Sequence, residues 1–240
     1  MKTELQALIF DVDGTLADTE RDGHRVAFNA AFEEAGMPWH WDVPLYGELL
    51  AVTGGKERMR FYAERHDPAF LAAPDADERI KALHAAKTRH YVAMLEGGEI
   101  PLRPGVARLI EEARAVALRL AIATTTTPEN VTTLLSASLA PDAVSWFEVI
   151  GAGDIVPKKK PAPDIYFWVL ERLGLPAEAC LAVEDSANGL KASLAADLPT
   201  VITTSIYTVE EDFTGALSVQ PDLANTRLSD LKLMHQIRKS

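Results

Sequence analysis

The stretch Leu8-Ile9-Phe10-Asp11-Val12-Asp13-Gly14-Thr15-Leu16 constrains this chain more than any other. Three apolar residues run into two carboxylates spaced two apart, and a glycine then breaks the run. Such a run reads as a buried strand of a parallel sheet that ends where the carboxylates begin. At period two, Asp11 and Asp13 leave the backbone on one side while Val12 turns toward the core. Gly14 permits the turn a strand end requires. Ligands bind at such carboxyl ends in open parallel sheets. Two convergent carboxylates repel, so they imply a cation, a shared proton or a separate role for each. A calcium loop needs its glycine at the sixth position, and here it stands at the fourth.

The rest of the chain follows two rhythms. From 17 to 98 the pattern is helical, with no strand: Phe28, Ala31, Phe32 and Ala35 recur at three and four before Gly36. Further helices are expected over 44–52, 57–65 and 77–95, punctuated by Pro68, Pro74 and Asp75. From Gly105 onward helices and strands alternate. Strands are expected over 118–124, 147–151, 180–184 and 199–203, and helices over 106–117, 128–138, 164–173, 188–196 and 228–237. Alternation of this kind means right-handed βαβ units and a parallel sheet. The expected organisation is α/β, with a sheet-bearing core from 1–16 and 99–240 and an all-α domain, 17–98, inserted after the first strand.

At 240 residues the chain is long enough for a proper core. A formal charge of −11 argues against general nucleic-acid or anionic-membrane binding, although a local basic pocket can still receive an anion. No apolar run approaches a membrane span. The single cysteine, Cys180, sits inside an apolar run and reads as a small buried hydrophobe in a reducing compartment. The first strand begins within about ten residues of Met1, so no signal peptide is expected. The expectation is a cytoplasmic monomer, or a stromal one if the chain is a processed plastid protein.

The later strand ends are polar, and a shared site must lie there. Ala123 is followed by Thr124-Thr125-Thr126-Thr127-Pro128; a hydroxyl beside a helix N-terminus suits an anion, though threonines also suit strand ends and caps. In Lys158-Lys159-Lys160-Pro161-Ala162-Pro163, the prolines stiffen the backbone behind Lys160 and fix one ammonium, which can neutralise a carboxylate or a phosphoryl oxygen. Val183-Glu184-Asp185-Ser186 is a second acidic pair at a strand terminus. Beside Asp11 and Asp13 it makes an oxygen-rich cluster suited to a hard cation, magnesium by preference. A carboxylate nucleophile can attack phosphorus, and a second carboxylate two residues on can protonate the leaving oxygen.

These four motifs, in this order across nearly the whole chain, resemble the haloacid dehalogenase (HAD) superfamily phosphohydrolases with a helical cap. The resemblance implies a Rossmann-like sheet of order 5-4-1-2-3. It implies Asp11 as nucleophile, Asp13 as general acid/base, and Thr124 and Lys160 as phosphoryl binders. Magnesium would be held by Asp11, Glu184, Asp185 and the backbone carbonyl of Asp13. Asp13 argues against the dehalogenase branch, which does not use an acid/base aspartate there.

Within the superfamily the chain resembles the CbbY-type xylulose-1,5-bisphosphate phosphatases. The residues are Asp18-Thr-Glu20 with His24, Trp39-His-Trp41, Thr53-Gly-Gly-Lys56-Glu-Arg58 and Thr124 to Asn130. Gly54-Gly55-Lys56 with Arg58 is not a P-loop, since Leu50 stands at the first glycine position and Glu57 at the Ser/Thr position. It still offers amides and cations to an anion, unless Lys56 is simply a solvated residue at a helix start. Glu20 and His24, one turn apart, could meet sugar hydroxyls or form a surface pair. Tyr46, Thr125 and Thr126 complete the expected substrate-binding set. The expected partner is therefore a small sugar phosphate, with xylulose 1,5-bisphosphate first. The rivals are a β-phosphoglucomutase-like sugar-phosphate mutase and a broader sugar monophosphate phosphatase. A non-enzymatic regulator would have lost the nucleophile or the acidic pair, and both are present.

Overall fold

The computed structural model describes residues 4–52 and 54–237. The chain divides into two compact units, Met1–Asp18 with Gly98–Ser240, and Thr19–Gly97. The boundaries fall at Asp18/Thr19 and Gly97/Gly98 because Ala17 still bridges Asp13 and pairs antiparallel with Leu102.

The first unit is a parallel sheet with helices. Its strands are β1 (Ala7–Phe10), β2 (Arg119–Ala123), β3 (Val149–Gly151), β4 (Cys180–Glu184), β5 (Thr200–Thr203) and β6 (Ser218–Gln220). Their order is β3-β2-β1-β4-β5-β6. The expected five-strand order is present, and β6 extends it by one edge strand that the sequence did not announce. Ser218-Val-Gln220 has no apolar run, and Val219 stays half exposed because an edge strand has one neighbour. β1 and β4 are buried at every position, as a strand covered on both faces must be. Phe10 lies opposite both Ile122 and Val183, so three strands end level. One residue further, Asp11 donates its N–H to the Val183 carbonyl at 3.0 Å.

The helices of this unit are α6 (Val106–Ala115), α7 (Pro128–Ser138), α8 (Asp164–Leu173), α9 (Ala187–Ala195) and α10 (Leu228–Ile237). In α6, Val106, Leu109, Ile110 and Ala113 form the buried stripe. Full burial of each larger side chain is worth about 1.5–3 kcal/mol. Thr127 caps α7 by accepting the Asn130 N–H, with Pro128 at the first helical position. Gly174 closes α8 in the left-handed conformation.

Arg103, buried in the return linker, ties distant segments together. Its guanidinium donates to the carbonyls of Gly14, Thr203 (2.8 Å), Thr204 (2.7 Å) and Pro221 (2.6 Å). Five donors in a fixed fork make arginine suited to collecting carbonyls that would otherwise be buried unpaired.

The second unit contains α1 (Arg25–Glu34), α2 (Val43–Leu49), α3 (Gly55–His66), α4 (Pro68–Leu71) and α5 (Ala76–Glu96). One π-helical turn, Thr19–His24, precedes α1. Pro68 starts the short α4 rather than only breaking the chain, with Asp67 as its cap. The core of the unit is aromatic. Trp41 lies 4.7 Å from Phe28 and 4.9 Å from Phe32 between ring centroids, and Trp39 packs on Phe70 and Tyr62. Among the described residues, no helix is long and apolar enough to cross a membrane.

Candidate active site

Level strand ends place four sequence motifs around one depression. A cavity of about 210 Å3 is lined by Asp11, Asp13, Thr125, Lys160, Glu184 and Asp185, with Ser186, Asn188 and Gly189 at its rim. Lys160 joins the acidic residues of its wall. Its Nζ donates to Asp11 Oδ1 at 2.6 Å, to Glu184 Oε1 at 2.5 Å and to the Ala123 carbonyl at 2.8 Å. Asp11, Glu184 and Asp185 are all buried. Each offers an oxygen within 4.8 Å of the others.

The electrostatics follow from this crowding. Burial opposes the charge on Lys160, but Asp11 and Glu184 outweigh it and hold the ammonium above its usual range. Glu184 is raised to about 7, by burial first, with Lys160 opposing and Asp11 reinforcing the rise. Asp185 is raised well above the usual carboxylate range, again by burial first and then by Asp11 and Glu184. No hydrogen-bond donor among the described residues reaches the Asp185 carboxylate. Fully ionised, the three buried carboxylates would outweigh one ammonium, which is the repulsion that helps raise Glu184 and Asp185, and their oxygens are all hard donors. That set fits a small divalent cation such as Mg2+.

Two glycines make room for the acidic pair. Gly14 has φ +82°, and a Cβ there would come within 2.0 Å of Asp185 Oδ2. A Cβ at Gly189 would stand 1.9 Å from Glu184 Oε2. Gly189 donates its N–H to Ser186 Oγ, the cap of α9, so the helix start is fixed where the carboxylate needs space.

The structure sorts the expected residues. Asp13 lines the cavity but its side chain does not join the three-carboxylate group, because residues two apart diverge once the strand gives way to the loop. Thr124 is buried, and its Oγ1 accepts the Thr126 N–H at 3.3 Å; Thr125 is the threonine that lines the wall. Thr126 Oγ1 accepts from Asn130 Nδ2 at 3.4 Å, beside the start of α7.

In the helical unit, Glu20, Tyr46 and Arg58 form one network. Tyr46 OH donates to Glu20 Oε2 at 2.6 Å and accepts from Arg58 Nη1 at 2.7 Å. Arg58 also donates to the carbonyls of Leu49 and Val52 and is buried. It is therefore not the outward-facing cation of the glycine loop; its charge is enclosed by a phenol, a carboxylate and two carbonyls. Burial works against ionised Glu20, yet His24, Arg58 and the Tyr46 hydrogen bond hold it below its ordinary value. Lys56 is exposed in the first turn of α3, and Gly54, two residues before it, caps the helix with φ +95°. Thr53 lies outside the described residues. His24 Nδ1 meets Lys87 Nζ at 2.8 Å, and its ring lies 4.0 Å from that of Tyr91. Burial lowers His24 to about 4. Cys180 is fully buried and its thiol is pushed up to about 12 by burial, which makes it inert packing.

Sequence reasoning missed Tyr166. It is fully buried on α8 and its hydroxyl donates to Glu184 Oε1, the oxygen Lys160 already holds. A signal existed: Ile165, Tyr166, Val169, Leu170 and Leu173 form the inward stripe of α8, and a phenol on such a stripe needs a partner. Lys87 was missed because nothing near it in sequence announces His24, 63 residues away.

Comparison with known proteins agrees with this geometry. The haloacid dehalogenase-like hydrolase family model matches residues 5–197. The protein CbbY (plasmid) of Cupriavidus necator is 54% identical over 221 residues, covering 92% of this chain and 87% of that protein. A crystal structure of CbbY from Rhodobacter sphaeroides in complex with phosphate superposes with a TM-score of 0.77 at 45% identity, covering 95% of this chain and 99% of that one. A mutant of the same protein in complex with xylulose-(1,5)bisphosphate has a TM-score of 0.77 at 44% identity, with the same coverage. The chain belongs to the haloacid dehalogenase-like hydrolase family and is a phosphatase of the CbbY type.

Proposed function

We propose that this enzyme hydrolyses a small sugar bisphosphate, xylulose 1,5-bisphosphate first, through a phosphoryl group carried on Asp11. The observation behind this reading is the Lys160–Asp11 contact of 2.6 Å inside a cavity of about 210 Å3. Typical small-molecule pockets run from about 300 Å3 upward, so this one takes a phosphoryl group and leaves the sugar outside.

Asp11 attacks phosphorus and forms an aspartyl phosphate. Lys160 holds Asp11 in place beforehand and offers its ammonium to the phosphoryl oxygens. Thr124 and Thr125, at the end of β2, supply hydroxyl and amide groups on the same side. Asp13, outside the carboxylate group, protonates the leaving oxygen and later takes a proton from water. Magnesium would be held by Asp11, Glu184, Asp185 and the Asp13 carbonyl, and when bound it balances charge on the phosphoryl oxygens.

Residues of the helical unit set the specificity in this reading. Lys56 with the amides of Gly54 and Gly55 reads the second phosphate, while Glu20, His24 and Tyr46 read sugar hydroxyls. The solved relative bound to xylulose bisphosphate supports the choice of substrate. A charge-assisted contact is worth roughly 1.5–3 kcal/mol, or about ten- to a hundredfold in kcat/KM.

The test is phosphate release across sugar mono- and bisphosphates with magnesium, for wild type and Lys56→Ala. The bisphosphate should be preferred, and the substitution should reduce its hydrolysis about tenfold or more while sparing a matched monophosphate. Equal losses on both would remove Lys56 from distal phosphate recognition. An isomerised sugar phosphate in place of free phosphate would identify a mutase instead.

A further inference from the structure

We infer that Tyr166 is a positioning residue: its hydroxyl fixes which oxygen of Glu184 stays available to a divalent cation and keeps Lys160 aligned on Asp11. The inference rests on the cation reading given above and adds a residue outside the four motifs.

Two donors converge on a single carboxylate oxygen. Tyr166 OH and Lys160 Nζ both donate to Glu184 Oε1. Glu184 Oε2, over Gly189, takes no hydrogen bond from a described residue. A carboxylate with one oxygen doubly held cannot rotate about its terminal torsion, which is otherwise broad and roughly two-fold. The phenol also bounds Lys160, since the ammonium lies 5.3 Å from its ring centroid. A phenylalanine would fill the same space if packing were the sole demand. Tyr166 is itself held: its N–H donates to the Pro163 carbonyl at 2.9 Å, and its neighbours Ile165 and Val169 belong to the buried cluster beneath the sheet. Lysine loop, α8 and acidic strand end are thereby linked behind the cavity.

Outer partners of metal-binding carboxylates typically carry about ten- to a hundredfold in metal affinity or activity. The experiment titrates metal-free wild type, Tyr166→Phe and Val169→Ala with MgCl2 by calorimetry, with thermal melts in EDTA and in Mg2+. Val169 is fully buried on the same helix and serves as the packing control. Tyr166→Phe should raise the Mg2+ Kd about tenfold and lower kcat, with KM for the sugar phosphate changed less than twofold. Val169→Ala should lower the melting temperature in EDTA and leave the Mg2+ Kd within twofold of wild type. An unchanged Kd in Tyr166→Phe overturns the inference, as does an equal rise in Val169→Ala. Wild type that gives no heat and no thermal shift with Mg2+ overturns the cation reading itself.

Discussion

Lys160 Nζ and Asp11 Oδ1 meet at 2.6 Å although 149 residues separate them in sequence. The contact exists because β1, β2 and β4 end level and the loop after β3 brings Lys160 back across them. Removing the ammonium would leave Asp11 and Glu184 buried without their counter-charge. Lys160→Met should therefore cost about 3–5 kcal/mol of stability as well as activity. Urea unfolding checks it; a metal-free variant as stable as wild type would show that the carboxylates do not depend on Lys160.

Asp11→Asn keeps the shape of the proposed nucleophile and removes its charge. Turnover should fall by several orders of magnitude while the fold persists. A purified variant retaining more than about a tenth of wild-type phosphate release would exclude the covalent route.

Chelation should abolish activity, and Mg2+ should restore it. Because Glu184 is raised to about 7 and Asp185 is raised too, the metal-free site carries repulsion that a divalent cation relieves. Thermal melts at neutral pH should shift upward on adding Mg2+ and return with EDTA. Calcium should bind and inhibit, since it tolerates higher coordination and lets Asp11 engage it with both oxygens.

At position 189, alanine would normally favour a helix by about 1 kcal/mol over glycine. Here its Cβ would lie 1.9 Å from Glu184 Oε2, and withdrawing that carboxylate means breaking its bonds to Lys160 and Tyr166. Gly189→Ala should weaken Mg2+ binding about tenfold or more, read by calorimetry. Combining it with Glu184→Asp, which shortens the side chain, should recover stability relative to the single variant.

His24 gives a pH signature. Burial lowers it from 6.5 to about 4, so the folded chain refuses a proton that the unfolded chain takes up between those values. Stability should fall as pH drops through that window, by up to about 3 kcal/mol, and level off below about pH 4. In EDTA, the raised Glu184 runs the opposite way, its folded state losing stability as pH rises toward 7. Comparing urea midpoints of wild type and His24→Gln cancels that contribution. A parallel decline in both proteins from pH 7 to 4.5 would show that His24 is not the source.

Local signals made much of this molecule legible. The apolar run ending in Asp11 became β1, and Pro128–Ser138, Asp164–Leu173 and Leu228–Ile237 became helices at the expected bounds. Runs, caps and glycine stops act over a few residues, so they can be read directly. β6 could not, because its three residues pair through their backbone with β5 and bury no apolar face of their own. Arg58 looked like part of an anion loop, yet Tyr46 and Glu20, 12 and 38 residues earlier, draw it inward. The Tyr166–Glu184 pair lies beyond local reading for the same reason: helix periodicity says that a phenol faces inward but not which group it meets.

Arg103 binds Gly14 from the first loop and Thr203, Thr204 and Pro221 from the far edge of the sheet through a single guanidinium. These segments cannot fray one at a time without stranding a buried charge among unpaired carbonyls. The Gly14 loop and the carboxy-terminal edge should thus share one opening event, with slow hydrogen exchange at the Gly14 and Thr204 amides rising and falling together. Segments flanking the fifth and sixth strands, far along the chain from Asp13, should therefore govern how often its loop opens.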